Sequence, residues 1–214
     1  MHTSFPLVYN AGWLHRYESA VGQDARLKLE EMNAFEDLLY RHTASRPTLK
    51  SLVDIGTCTG RYLRWAAQNG FETIVGVDSS ADAILYCSQV LTFELELHCL
   101  DILSISEHKL RSLFGRQFDL ITIMFGTINH FDDTEQFEIL RRMRYMLNDK
   151  GFLVISLWIQ GKCDFSLYEK LAAQLLSIRD IPVNKMRDIT RFAGLELIDW
   201  SETNSHRLFL MTRR

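Results

Sequence analysis

Three aspartates, Asp54, Asp78 and Asp101, each close a short apolar run, and directly after the first run stands Gly56-Thr57-Cys58-Thr59-Gly60. Ligands of open α/β sheets bind beyond the carboxyl ends of the strands, so an acid at such an end is placed to meet one. Asp78 follows Asp54 by about 24 residues, close to the spacing at which an acid meets ribose hydroxyls. A carboxylate there accepts two hydrogen bonds from a cis-diol and repels a 2′-phosphate. Taken alone, each acid could equally be a helix cap or a solvated strand end; three in register on successive strands point to one site. Glycine serves where the backbone needs positive φ or a close approach, and a helix opening behind a glycine turn offers unpaired N–H groups and partial positive charge. Strand, turn and helix together form the entry of a nucleotide-type pocket. The remaining group with chemistry is His130, in the loop Phe125-Gly-Thr-Ile-Asn-His-Phe131. An imidazole there is a candidate general base, able to take a proton from a hydroxyl or ammonium; packing of the loop or of the helix start at Asp132 is the competing reading.

The glycine loop is not the dinucleotide fingerprint G-x-G-x-x-G. Counted from Gly56, that pattern needs glycine where the chain has Cys58 and Arg61. The segment instead resembles the first motif of class I S-adenosylmethionine-dependent methyltransferases, D/E-x-G-x-G-x-G, with Asp54, Gly56 and Gly60 in place and Cys58 at the middle glycine. The resemblance extends from about Leu49 to Arg214. It implies a doubly wound α/β fold: a mostly parallel seven-stranded sheet with helices on both faces and an antiparallel C-terminal hairpin. It further implies that Asp78 and Ser79 hold the ribose of S-adenosylmethionine, that Asp101 and the Ile102 backbone face the adenine edge, and that Asp54, Gly56, Thr57, Cys58 and Gly60 shape the loop around the methionine end. The Phe125 segment resembles the stretch whose backbone carbonyls receive the cofactor's ammonium, and its later residues border the methyl group. Tyr9 and Trp13 precede the first strand, where proteins of similar pattern fold a lid over the sulfonium and the acceptor.

The elements that must position these residues are legible in outline. Leu29, Met32, Phe35, Leu38 and Leu39 recur at helical spacing between Ala25 and His42. Short apolar runs then start at Ser51, Thr73, Leu95, Phe118 and Phe152, alternating with helix-like segments at 61–68, after Ser79-Ser80, at 107–114 and from Asp132-Asp133-Thr134 to about Leu147. Asn148-Asp-Lys-Gly151 has the composition of a turn. Alternation of strand with helix predicts a parallel sheet of right-handed crossovers. Helical segments follow over 166–179 and 184–192, and Leu195–Trp200 and His206–Met211 are expected to pair as a hairpin. The whole chain is expected to form a single methyltransferase domain: a helical lid over 1–48, a cofactor-binding half over 49–160, and acceptor-side helices with the closing hairpin over 161–214.

Composition narrows the function. A net charge of −3 over 214 residues argues against broad phosphate neutralisation. Arg141, Arg142 and Arg144 form the one candidate basic patch, with a solvated helix face as the alternative. The four cysteines are scattered without C-x-x-C spacing, no paired histidines stand at metal-ligand spacing, and no metal is expected. The segment from His2 to Tyr9 does not read as a secretory leader, and a reducing cytoplasm fits best. The resulting expectation is an enzyme that moves the methyl of S-adenosylmethionine to an O or N atom of a small-molecule metabolite, without a nucleic acid or membrane partner. The alternatives are a protein or RNA methyltransferase and a catalytically silent S-adenosylmethionine-binding regulatory subunit.

Overall fold

Along each central strand the apolar residues point alternately to two different layers of helices, so the runs are apolar throughout, as strands buried on both faces must be. The computed structural model describes residues 12, 14, 25–44, 48–159, 162 and 180–214. In chain order these form α1 (Ala25–Thr43), β1 (Ser51–Ile55), α2 (Arg61–Gln68), β2 (Thr73–Asp78), α3 (Ala81–Val90), β3 (Glu96–Cys99), α4 (Glu107–Phe114) and β4 (Phe118–Ile123). A 3-10 turn (Thr127–His130) follows, then α5 (Asp133–Met146), β5 (Leu147–Trp158), α6 (Val183–Phe192), β6 (Leu195–Glu202) and β7 (His206–Arg213). The sheet order is β3-β2-β1-β4-β5-β7-β6. β1 to β5 are parallel, and β7 runs antiparallel to both β5 and β6, giving six strands in one direction and one reversed.

One layer packs Val53, Val75, Ile121 and Leu153 against Leu110 of α4, Ile139, Leu140 and Met143 of α5 and Met186 of α6. The other packs Leu52, Ile74, Leu120, Phe152 and Val154 against Phe35 and Leu38 of α1, Leu63 and Trp65 of α2 and Cys87 of α3. Local signals set the helix ends. The Ser80 and Ser106 hydroxyls accept from the third residue beyond them, and Asp132 with Glu135 forms a reciprocal capping box. At the amino ends of the strands, the Asp119 carboxylate accepts from the Lys50 and Ser51 backbone N–H groups, the Ser51 hydroxyl and the Asn148 amide.

Three details depart from the sequence-based expectation. The segment Asn148–Gly151 is not a free turn but belongs to β5, because Leu147 already pairs with Phe118 and a register shift between Phe118 and Leu120 absorbs the polar residues. On α1, Leu29 is exposed while Glu31 is fully buried. The arginines of α5 form no basic patch, because each is paired within the protein. Arg141 pairs with Glu107 and Glu138, Arg142 with Glu138 and the carbonyls of Leu103 and Ile105, and Arg144 donates to the Gly194 carbonyl. Tyr9, Trp13, Tyr17 and the helix expected over 166–179 lie outside the described residues. Among the described residues no helix is long and apolar enough to cross a membrane, and no cluster of His, Cys, Asp or Glu could hold a metal ion.

Candidate active site

The carboxyl edge of the sheet gathers most of the residues singled out in the sequence. Gly56 and Gly60 both take φ of 74°, which glycine alone adopts freely. A Cβ on Gly56 would come within 2.7 Å of the Thr127 side chain, so the loop after β1 touches the loop after β4. Cys58 sits between the two glycines at φ 50°, a left-handed conformation that costs a non-glycine residue about 1–2 kcal/mol. Its N–H donates to Asp78 Oδ2 at 2.9 Å, and its carbonyl accepts from the Cys87 thiol. The Ser80 N–H donates to Asp78 Oδ1 at 2.9 Å, and the Ser79 N–H also favours the ionised form. Burial outweighs these donors and raises the Asp78 pKa. Three of the four lone-pair sites of the carboxylate are thus taken, and one is left for a further donor.

Asp54 lies deeper. Burial raises its pKa to about 6 against the Thr122 and Thr57 hydroxyls, and Thr122 Oγ1 donates to it at 2.7 Å. Asp101 stands two residues beyond β3, exposed, with Oδ1 accepting from the Leu103 N–H, while Ile102 is buried in the core. Arg142, through the carbonyls of Leu103 and Ile105, braces this turn.

The loop after β4 is knitted from three sides. Phe125 adopts φ 55°. Its N–H donates to Ser156 Oγ at 2.7 Å and to Glu31 Oε1 at 2.9 Å. Asn129 closes a reciprocal pair with the Trp158 backbone, at 2.8 and 3.2 Å. Gly126, at φ 80°, lies so close to Trp158 that an added Cβ would fall 2.0 Å from its ring. His130 ends the 3-10 turn, half-buried, and desolvation lowers its pKa to about 4.

Glu31 is a residue that the sequence reading missed. It accepts from Arg61, Ser156, the Phe125 N–H and the Tyr62 hydroxyl. Burial by itself would raise its pKa; Arg61, His206, Ser156 and Phe125 together outweigh it and hold the carboxyl below its usual range. The Arg61 guanidinium in turn lies 4.6 Å from the Phe125 ring centroid and 4.9 Å from that of Tyr62, within cation–π range. A signal for Glu31 was present: it precedes Phe35 and Leu38 by four and seven positions, on the apolar face of α1.

A model of the methyltransferase domain family matches residues 52–151, which contain the glycine loop, all three acids and the loop after β4. The chain has the class I methyltransferase fold. The chain is similar in fold to magnesium protoporphyrin IX methyltransferase from Synechocystis, solved with bound S-adenosylhomocysteine. The TM-score is 0.73 at 14% identity, covering 100% of both chains. An S-adenosylmethionine-dependent methyltransferase from Clostridium acetobutylicum aligns with TM-score 0.69 at 13% identity over 94% of this chain and 98% of the other. The sugar N-methyltransferase KedS8 from Streptoalloteichus aligns with TM-score 0.61 at 17% identity over 86% and 87%. No curated protein matches the sequence significantly. The donor set at this edge fits S-adenosylmethionine: a half-buried carboxylate at the end of β2 and positive-φ glycines at the end of β1.

Proposed function

We propose that this chain is an S-adenosylmethionine-dependent methyltransferase that acts on an oxygen or nitrogen atom of a small molecule. S-adenosylmethionine supplies an electrophilic methyl group on a sulfonium. What the chain must add is in-line placement and exclusion of water. In this reading Asp78 and Ser79 hold the ribose hydroxyls and the Asp101–Ile102 turn faces the adenine. Gly56, Thr57, Cys58 and Gly60, positioned by Asp54, shape the loop around the methionine end. Phe125 anchors the loop that receives the ammonium, His130 borders the acceptor, and Tyr9 and Trp13 belong to a lid over 1–48.

The observation that carries the acceptor class is the pairing of Arg141, Arg142 and Arg144 with carboxylates and carbonyls of the protein itself. Guanidiniums spent this way support a compact acceptor over a phosphate backbone. The small acceptors named for the porphyrin and sugar methyltransferases of similar fold support the same choice. The test is calorimetric binding of S-adenosylhomocysteine, followed by incubation with S-adenosylmethionine and two substrate sets: a mixture of phenols, hydroxy acids, amines and aminosugars, or total RNA and protein. Methyl incorporation into the small-molecule mixture is expected. Incorporation only into RNA or protein would overturn the acceptor class, and tight binding with no incorporation anywhere would favour a regulatory subunit.

A further inference from the structure

Because β7 runs against the other strands, its first residue lies at the same carboxyl edge as the last residues of β4 and β5. That residue is His206, in register with Trp158. Its ring is wholly buried, 3.9 Å from the Trp158 ring centroid and 5.1 Å from that of Phe125. The backbone cannot slip: its N–H donates to Thr203 Oγ1 at 2.9 Å and its carbonyl accepts the Thr203 N–H at 2.8 Å. Nδ1 is held by the Ser205 hydroxyl at 2.8 Å. Nε2 has no hydrogen-bond partner among the described residues. A buried polar atom left unmet is destabilising, and a phenyl ring would stack on Trp158 without that cost. An unmet nitrogen on an otherwise fixed ring, beside the loop that borders the methyl group, therefore calls for a ligand.

We infer that His206 Nε2 accepts the proton of the methyl acceptor. The inference rests on the methyltransferase reading and assigns a catalytic residue to it. As the acceptor's oxygen or nitrogen bonds to the methyl carbon, the carbon–sulfur bond breaks with its electron pair on sulfur, and the acceptor's O–H or N–H proton passes to Nε2. One positive charge leaves the sulfonium and one appears on the imidazole. The charged groups acting on that ring are the carboxylates of Glu31 and Glu30, which favour the imidazolium, and Arg61, which opposes it. Burial keeps the resting ring neutral, with a pKa lowered to about 4. The role requires the tautomer in which Nδ1–H donates to Ser205 and Nε2 carries the lone pair.

The decisive measurement needs no acceptor. Histidine ¹⁵N spectra of the full chain at pH 7 should show His206 neutral, with the proton on Nδ1. Exchanging bound S-adenosylhomocysteine for S-adenosylmethionine should shift its Nε2 resonance. The opposite tautomer, or an Nε2 signal indifferent to the exchange, overturns the inference. Absence of S-adenosylhomocysteine binding overturns the methyltransferase reading itself, and the two failures are thus separate. With any acceptor that is turned over, His206→Gln should keep S-adenosylhomocysteine affinity within about twofold while lowering kcat at least about 100-fold. Equal turnover would also refute the assignment. His206→Phe, which keeps the stack on Trp158, should fold and show the same loss.

Discussion

Replacing Asp54 by asparagine should make the ligand-free protein more stable at neutral pH. The folded state raises the Asp54 pKa from 3.8 to about 6, chiefly through burial. The gap of about 2 units corresponds to about 3 kcal/mol at about 1.4 kcal/mol per unit. The sign follows from proton counts. Below pH 4 both folded and unfolded chains hold the proton, and ionisation costs nothing. Between pH 4 and 6 the unfolded chain releases its proton while the fold retains it, so stability falls as pH rises, and above pH 6 the full cost is present. About 1 kcal/mol of that cost is already present at pH 4.5, so the stability of Asp54→Asn minus that of the parent should climb by about 2 kcal/mol between pH 4.5 and 7.5. An amide also accepts from Thr122, so any loss of that hydrogen bond is a constant offset. Urea unfolding at four pH values measures the difference. The parent's own curve does not isolate it, because His130 and His206 have folded pKa values near 4. Their contributions are complete above 6.5 and fade as pH falls, with the opposite slope. A variant-minus-parent difference that is flat with pH, or that grows towards acid, would refute the argument.

Asp78→Ala should weaken S-adenosylhomocysteine binding by about 1.5–3 kcal/mol in calorimetry, the scale for hydrogen bonds to a charged group, while the fold survives. Unchanged affinity would remove Asp78 from the site. Cys58→Gly relieves the strain at φ 50° but adds backbone freedom worth about 0.5–1 kcal/mol, so thermal stability and cofactor affinity should stay near the parent's; a large affinity loss would show a side-chain contact for Cys58. Glu31→Gln leaves Arg61 without its buried anion and should cost about 3–5 kcal/mol in urea unfolding at neutral pH. Since the Glu31 pKa is depressed, this stability is present above its usual 4.5 and lost as pH falls, and parent and variant should converge in acid. Gly126→Ala sets a Cβ against Trp158 at positive φ and should cost about 2–4 kcal/mol by thermal melt; a neutral result would contradict the described packing of that loop.

The sequence made the alternation plain because each signal was local. Thr73–Asp78 and Arg61–Gln68 form as read, since a β-branched run ending on an acid and a helix bounded by glycine and Asn69-Gly70 carry their own punctuation. Asp54, Asp78, Gly56 and Gly60 stand at strand ends and in the turn for the same reason. What could not be read is long-range. Glu31 looks like one charge among many on α1, and its partners lie 30, 94 and 125 residues away. His206 looks like the polar first residue of an apolar strand, and only the reversal of β7 brings it to Trp158. The start of β5 was hidden because a bulge places Asn148–Lys150, polar in composition, within a ladder.

The buried Glu31 also bears on the order in which the molecule is made. Its helix leaves the ribosome well before Phe125 and Ser156 exist, and until they arrive the carboxylate has no shelter from the cost of desolvation. α1 can settle on the sheet only when Arg61, the loop after β4 and the end of β5 are all in their final places. Its docking therefore inspects the carboxyl edge of the sheet as the chain matures: a molecule with that edge misassembled would hold α1 off, exposing Phe35 and Leu38 to whatever in the cell recognises unfinished proteins.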